Sequence, residues 1–317
     1  MKQTILGAGG AIGIELAKAL TEYTSDIRLV SRNPKKVNLT DSLFPADLTK
    51  REDVFKAVAD SHITYVAIGF PYKTSTWKET WVPFIQNVVD ACLEHNSKLV
   101  FFDNVYAIGG NNVNRITENS PISPTSKKGE IRAEVDRIIL KNMEKNNLQA
   151  IIARSPDFFG GTARQSSVLM NLVYDNLVKN KKAQWFCNSK VVHSMGYVPE
   201  LAKGTAMLGN TTEAYNQIWN LPTDPQRITG QEWITLFASE LGKENKFTVL
   251  PNWIVKGFGL IVPVMKELAE MNYQYDRDYY FDSTKFNSYF NFTPISHAVA
   301  VKQAIEQLKD NTEITTR

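Results

Sequence analysis

The stretch "TILGAGGAIGIELAKAL", residues 4–20, restricts what this chain can become more than any other. An apolar run from Thr4 to Leu6 stops at Gly7. Gly10 and Gly13 follow at even spacing with Gly9 between them, and Ile12, Leu16 and Leu20 then recur every four residues. The first pattern is that of a short buried strand and the last that of a helix with one apolar stripe. The glycines between them mark a tight strand-to-helix turn.

The same rhythm repeats downstream. Strand-like runs at 27–30, 64–68, 99–102 and 150–153 are each separated by a helical segment, which predicts an α/β fold with a doubly wound parallel sheet. Thr49 and Glu52 have the spacing of a capping box and predict a helix start ahead of Val54, Phe55 and Val58. After Arg154 the rhythm loosens. Helices are expected near 168–178, near 200–208 and from Gly230, capped by Thr229, with shorter strands near Val191 and Ile218. Residues 1–160 are therefore expected to form a nucleotide-binding domain, with some later segments returning to its sheet. Residues 161–317 are expected to form a smaller mixed cap that binds substrate. In such sheets the ligand lies at the C-terminal edge of the strands. The apolar stretch "WIVKGFGLIVPVM", residues 253–265, is interrupted by Lys256 and Pro263, is too short to span a bilayer, and reads as a helix covering that cleft.

Charge narrows the partners. With 36 basic residues against 33 acidic ones and a formal net charge of +3, no strong field is available for nucleic acid or an anionic membrane, so a small-molecule ligand is expected. A homodimer stays open. Cys92 and Cys187 stand far apart without zinc-ligand or CxxC spacing and read as ordinary reduced thiols, and no metal site is expected. The absence of a charged and then apolar leader at the start points to a cytoplasmic location.

The glycine turn carries the first functional reading. Gly7 permits the turn off the strand, Gly10 lets the backbone approach a pyrophosphate, and Gly13 lets the helix pack close to the strand. Ala11 and Ile12 open the helix, where N–H groups and a partial positive charge face a phosphate. An ordinary structural turn is the competing reading. The second strand ends "RLVSRNPKK", where an NAD-preferring chain is expected to place an acidic residue against the ribose 2′-hydroxyl. Here stand Ser31 and Arg32, followed by Lys35 and Lys36. An arginine pairs with a 2′-phosphate in bidentate fashion, so NADP is favoured over NAD unless these cations are merely a solvated face. Asp47 and Leu48 in "PADL" are placed to meet the adenine, with Asp47 alternatively a turn residue. Gly69, closing "VAIG", leaves room for the cofactor's ribose, or is a plain strand-end glycine.

At this point the chain resembles the extended short-chain dehydrogenase/reductase superfamily, also called the NAD-dependent epimerase/dehydratase family. The residues that carry the likeness are "GAGGAIG" at 7–13, "VSR" at 30–32, "ADL" at 46–48, "DNVYAIGG" at 103–110, "KKGEIRAEVD" at 127–136 and "RSPDFFGG" at 154–161, with fainter matches at 197–204 and 215–222. The resemblance implies a Rossmann domain, a variable C-terminal substrate domain and an NAD(P) cofactor. It also implies that Pro156, Asp157 and Phe158 align with a nicotinamide-contacting segment, although Phe158 equally suits a core.

The departure from the family pattern matters as much. Family members with standard activity carry Tyr-x-x-x-Lys on a helix after the fifth strand. The aligned positions here hold Lys128 and Arg132, and the Ser/Thr that ends the fifth strand is replaced by Asp103 or Asn104. Such losses resemble the atypical branch of the superfamily. The spacing of four keeps Lys128 and Arg132 on one helix face, which is either functional or simply solvated. Tyr106, resembling the tyrosine of the family's "VYG" turn, lies near the sheet edge and is the candidate general acid/base, with Lys128 the other and Arg132 a holder of ribose or of an anionic substrate. A structural lining role is the alternative for Tyr106, as it is for His193 in "VVHSMGYVPE". The expected function is an atypical NADP-dependent oxidoreductase or isomerase acting on a small carbonyl or alcohol. The alternative is a non-catalytic NADP(H)-binding redox-sensing regulator.

Overall fold

The computed structural model describes residues 1–258 and 263–315. The chain divides into two compact units, the first comprising 1–107, 122–155 and 199–221, and the second comprising 108–121, 156–198 and 222–317.

The first unit is built on β1 (Gln3–Leu6), β2 (Ile27–Ser31), β3 (Ser42–Pro45), β4 (Ile63–Val66), β5 (Lys98–Asp103), β6 (Ala150–Arg154) and β10 (Gln217–Asn220), alternating with α1 (Ala11–Leu20), α2 (Arg51–Val58), α3 (Thr74–Glu94), α4 (Lys127–Lys145) and α6 (Val198–Gly209). The strands form one seven-stranded sheet in the order β10-β6-β5-β4-β1-β2-β3, with every neighbouring pair parallel. A parallel sheet buried on both faces needs apolar runs rather than alternation, which is what the runs read from the sequence supply. Leu6, Val30, Val66, Phe101 and Ile152 pack on one face with Val54 and Val58 of α2, Trp81 and Val88 of α3, and Val135 and Ile139 of α4. Intervening residues such as Tyr65 point to the other face, where a Cβ on Gly209 of α6 would collide with the Tyr65 ring. Helices on both faces make the sheet doubly wound and Rossmann-like, as expected. The strand order reverses between β1 and β4, the switch point at which such sheets leave a crevice.

The expected α2 begins where anticipated, but not by the expected device. Its N-cap is Lys50, without a side-chain cap. Thr49 lies one residue too early, and its hydroxyl donates instead to Asp47 at 2.7 Å, while Asp53 reaches back to accept from the Asp47 N–H at 2.9 Å. The segment near Ile218 returns to the sheet as β10.

The second unit contains β7 (Asp157–Phe159) paired with β9 (Met195–Tyr197), β8 (Ala183–Phe186) paired with β11 (Phe247–Leu250), and helices α5 (Asp175–Val178), α7 (Gly230–Glu240), α8 (Asn252–Phe258), α9 (Pro263–Ala269), α10 (Thr284–Tyr289) and α11 (His297–Thr315). Its core gathers Phe159, Trp185, Trp233 and Phe237. Thr229 caps α7 in the expected way: its hydroxyl accepts from the Glu232 N–H, and Glu232 accepts in return from the Thr229 N–H. Near Val191 the described residues form isolated bridges rather than a strand, Val192 with Thr229 and His193 with Tyr279, and β9 begins at Met195. Of the expected cleft-covering helix at 253–265, residues 259–262 lie outside the described residues; α8 and α9 end on either side. Among the described residues no helix is long and apolar enough to cross a membrane, and Cys92 and Cys187 are not joined in a disulfide.

Candidate functional site

The glycine turn has the geometry of a cradle. Gly7 adopts φ +95°, and a Cβ there would lie 2.5 Å from the Ile68 Cα, so β1 and the end of β4 meet too closely for any side chain. Gly13 does the same for the helix, since its Cβ would stand 2.6 Å from the Gly7 carbonyl oxygen. Gly10 differs. It is exposed and a Cβ on it would make only ordinary contacts at 3.4 and 3.6 Å, so nothing in the protein demands a glycine there. It is also the N-cap of α1, and no acidic residue stands in the first turn of that helix, where Ala11 and buried Ile12 lie. A positively polarised helix end behind an open glycine fits a pyrophosphate. A Cβ on Gly69 meets nothing within 4 Å, so its glycine likewise answers no constraint of the fold.

At the next strand end, Ser31 is half-buried and Arg32 is exposed. Asp47 is half-buried, and its carboxyl is held below the usual range mainly by hydrogen bonds from Thr49, with smaller help from Lys50 and Arg32. Leu48 is 4% exposed and packs in the core under the sheet.

Tyr106 and Lys128 are brought together. Ser126 caps α4 by accepting from the Gly129 N–H at 3.0 Å, and a Cβ on Gly129 would strike the Tyr106 carbonyl oxygen, so the Tyr106 loop rests on the first turn of α4. The Tyr106 hydroxyl accepts from the Tyr72 hydroxyl at 3.4 Å, and its ring stacks on Trp77 at 6.1 Å. The Lys128 ammonium lies 4.6 Å from the centre of the Tyr72 ring and donates to the Thr74 hydroxyl at 3.0 Å. Lys128 is completely buried, which rules out a solvated helix face. Tyr72 and Thr74 were not singled out from the sequence. Their signal was position: "FPYKTST" follows β4 at the ligand-binding edge, where connecting loops carry function.

Arg132 is turned elsewhere. It is 2% exposed, pairs with Asp103 at the end of β5, and lies between the Trp81 and Phe101 rings at 4.2 and 4.7 Å. One helical turn on, Asp136 pairs with Arg154 at 3.0 Å, and both are sealed from water. Burial pushes the Asp136 carboxyl up to about 7, the Asp103 charge adds to the rise, and Arg154 and Arg132 oppose it. Asp103, Arg132, Asp136 and Arg154 thus form a buried quartet of charges.

In the second unit Pro156 is buried, while Asp157 and Phe158 are half-buried at the start of β7. His193 is fully buried and 3.1 Å from the Asp157 carboxylate. Among the described residues no group of three or more His, Cys, Asp or Glu side chains is gathered as a metal site.

The doubly wound sheet and its glycine cradle define a dinucleotide-binding class of fold. The model of the NAD dependent epimerase/dehydratase family matches residues 4–221, and the chain belongs to that family of enzymes. An uncharacterized UDP-glucose epimerase of Bacillus subtilis, YtcB, is 19% identical over 239 residues, covering 66% of this chain and 73% of the relative. The UDP-glucose 4-epimerase of Thermus thermophilus, solved with NAD, superposes with a TM-score of 0.78 at 13% identity, over 98% of this chain and 99% of that one. The UDP-glucuronic acid 4-epimerase of Bacillus cereus, also solved with NAD, gives 0.78 at 14% identity, over 99% and 98%. These likenesses establish the shared fold.

Proposed function

We propose that this chain is an NADP-dependent oxidoreductase or epimerase-type enzyme for a small carbonyl or alcohol substrate, in which Tyr106 and Lys128 replace the usual Tyr-x-x-x-Lys pair. The observation that carries the reading is the chain of contacts from the Tyr106 hydroxyl to the Tyr72 hydroxyl and on to the Lys128 ammonium over the Tyr72 ring.

When bound, the dinucleotide supplies or accepts a hydride. The protein's share is to hold it and to manage the proton. Gly7, Gly10 and Gly13 shape the cradle, Ala11 and Ile12 present helix N–H groups to the pyrophosphate, Ser31 and Arg32 take the 2′-phosphate, Asp47 flanks the adenine, and Gly69 leaves space for a ribose. Tyr106 exchanges a proton with the substrate oxygen, and Tyr72 is its hydrogen-bonded partner. Lys128, fixed by Thr74, places a positive charge over the Tyr72 ring, whose hydroxyl bonds to that of Tyr106. The long reach of NAD among the structural neighbours makes NAD the rival cofactor.

The buried Asp103–Arg132 pair favours a second reading, the non-catalytic NADP(H)-binding redox sensor, since those two positions have left the chemistry. NADPH oxidation over a panel of aldehydes, ketones and nucleotide sugars, with Tyr106→Phe and Lys128→Ala in parallel, separates the two. Turnover lost in both variants supports the enzyme. Turnover by the native chain that both variants retain removes the assigned roles.

A further inference from the structure

The first unit also has a cleft at the edge of its sheet opposite the glycine turn. The N-terminal ends of β4, β5 and β6 are held side by side there, the Lys98 N–H donating to the His62 carbonyl at 3.0 Å and the Leu99 N–H to the Gln149 carbonyl at 2.9 Å. Between these ends and the turns that close α3 and α4 lies an open space of about 220 Å³. Every lining residue belongs to the first unit. Asn96 and Asn147 stand just beyond the ends of α3 and α4, both left-handed with φ 52° and 57°. Glycine is the commoner residue in that place, because a Cβ is strained there. Both turns carry an amide side chain instead, and both line the cleft.

Helix C-termini ordinarily leave carbonyls and partial negative charge unanswered. Here the turns themselves answer them: the Cys92 carbonyl accepts from the Ser97 N–H at 2.8 Å, and the Asn142 carbonyl accepts from the Leu148 N–H at 3.2 Å. The charged side chains at the cleft are basic. Lys98 is half-buried, its ammonium lies 4.7 Å from the centre of the Tyr215 ring, and it has no carboxylate partner among the described residues. Burial and then the Lys98 charge hold the His62 pKa below the ordinary histidine range, so a proton on His62 meets repulsion. Among the described residues no Asp or Glu lines the space. Leu93, Leu148 and Cys92 supply its apolar part, and burial pushes the Cys92 thiol up to about 12, which keeps that wall uncharged.

We propose that this cleft binds a small organic anion, a carboxylate or phosphate monoester with a short apolar body, whose oxyanion is met by Lys98, His62 and the amides of Asn96, Asn147 and Gln149. An ionised oxyanion only accepts, and each of these five side chains can donate. A cation would meet Lys98 with like charge, and an uncharged molecule would leave that charge unanswered. The space exceeds by more than about tenfold what one water needs, which leaves room for a body of several heavy atoms against Leu93 and Leu148. The site does not depend on the cofactor reading above.

An amide NMR titration of the full chain in phosphate-free buffer tests the assignment, with butyrate and propyl phosphate as probes and 1-butanol as the uncharged comparison. At least one of the two anions should shift the amides of residues 96–98 and 147–149 saturably with a Kd below about 1 mM, and 1-butanol should bind at least about tenfold more weakly. The tighter anion names the head group. Lys98→Met keeps the stem against Tyr215 but not the charge, and should weaken that anion by at least about fivefold. Asn147→Gly should weaken it by at least about threefold, and unfolding cannot be the cause, because glycine suits the left-handed turn better than asparagine does. The proposal is overturned if both anions miss the 1 mM mark, if 1-butanol binds within tenfold of them, or if Lys98→Met falls short of its fivefold loss.

Discussion

Arg132 of α4 donates to Asp103 at the end of β5 with both side chains sealed from water. Asp103 is also the register partner of Arg154 on β6, and Arg154 in turn pairs with Asp136 one turn along α4. Two anions and two cations thus occupy one dry volume, where each charge is tolerable only because the others are present. Asp103 and Arg132 are thereby held in a structural lock, apart from the contacts that join Tyr106, Tyr72 and Lys128.

Breaking that lock from one side should be costly. Asp103→Ala strands the Arg132 guanidinium in an apolar slot and is expected to lower stability by about 3–5 kcal/mol, whereas Asp103→Leu combined with Arg132→Met should recover most of the loss. Urea unfolding of both variants measures this; a single-variant loss below about 1 kcal/mol would contradict it.

The quartet also sets a pH dependence. Burial pushes the Asp136 carboxyl up to about 7, well above the ordinary carboxylate range, so the folded state holds its proton longer than the unfolded chain does. Its contribution is fully present below the unfolded value and is lost as pH rises to about 7. The native protein should therefore lose on the order of a few kcal/mol relative to Asp136→Asn across that window. Parallel unfolding curves at stepped pH check the sign, and a difference that is flat or rises with pH would refute it.

The glycines of the turn should separate by role. Gly7→Ala meets both a left-handed φ and the Ile68 backbone, and about 2–4 kcal/mol of stability should go with it. Gly10→Ala should leave the melting temperature nearly unchanged yet weaken NADPH binding by at least about tenfold, because its contacts within the protein are ordinary. Calorimetry decides; equal affinity in Gly10→Ala would argue that the open glycine faces no ligand.

Arg32 is exposed at the end of β2, so its removal should not touch the fold. Arg32→Ala is expected to weaken NADPH by about 10–100-fold, the worth of a charge-assisted pair with phosphate, and to leave NADH within about twofold. Equal losses for both cofactors would remove the 2′-phosphate from its role.

Tyr72→Phe deletes the partner of the Tyr106 hydroxyl but keeps the ring on which Lys128 rests. It should lower kcat by about tenfold with little change in KM, and steepen the pH profile of kcat relative to the native enzyme. A KM effect without a kcat effect would make Tyr72 a binding residue instead.

Local pattern made the scaffold legible. Strands β1, β2, β4, β5 and β6 are apolar runs bounded by turn residues, whereas β3 (SLFP), mostly exposed, was not among the runs read; Ile12, Leu16 and Leu20 declare the buried stripe of α1, so fold class and cofactor edge could be read by counting. Thr229 announced the start of α7 correctly. Thr49 with Glu52 did not make the expected cap, because a spacing cannot tell whether a hydroxyl will turn to the helix or to a nearer carboxylate such as Asp47.

The site was legible only in part. That Lys128 and Arg132 share a helix face follows from their spacing of four. That one reaches Thr74 and Tyr72 while the other is buried against Asp103 depends on side chains distant in sequence. The same holds for Asp157, His193 and Tyr275, three residues from separate segments that become one cluster only when folded. The sequence by itself determined the sheet, its order of strands and helices, and the glycine cradle, since these depend on periodicity and backbone freedom within a few residues. Tertiary structure alone decided which charges are buried and which phenols meet, because burial and pairing are properties of neighbours that the chain brings together from far apart.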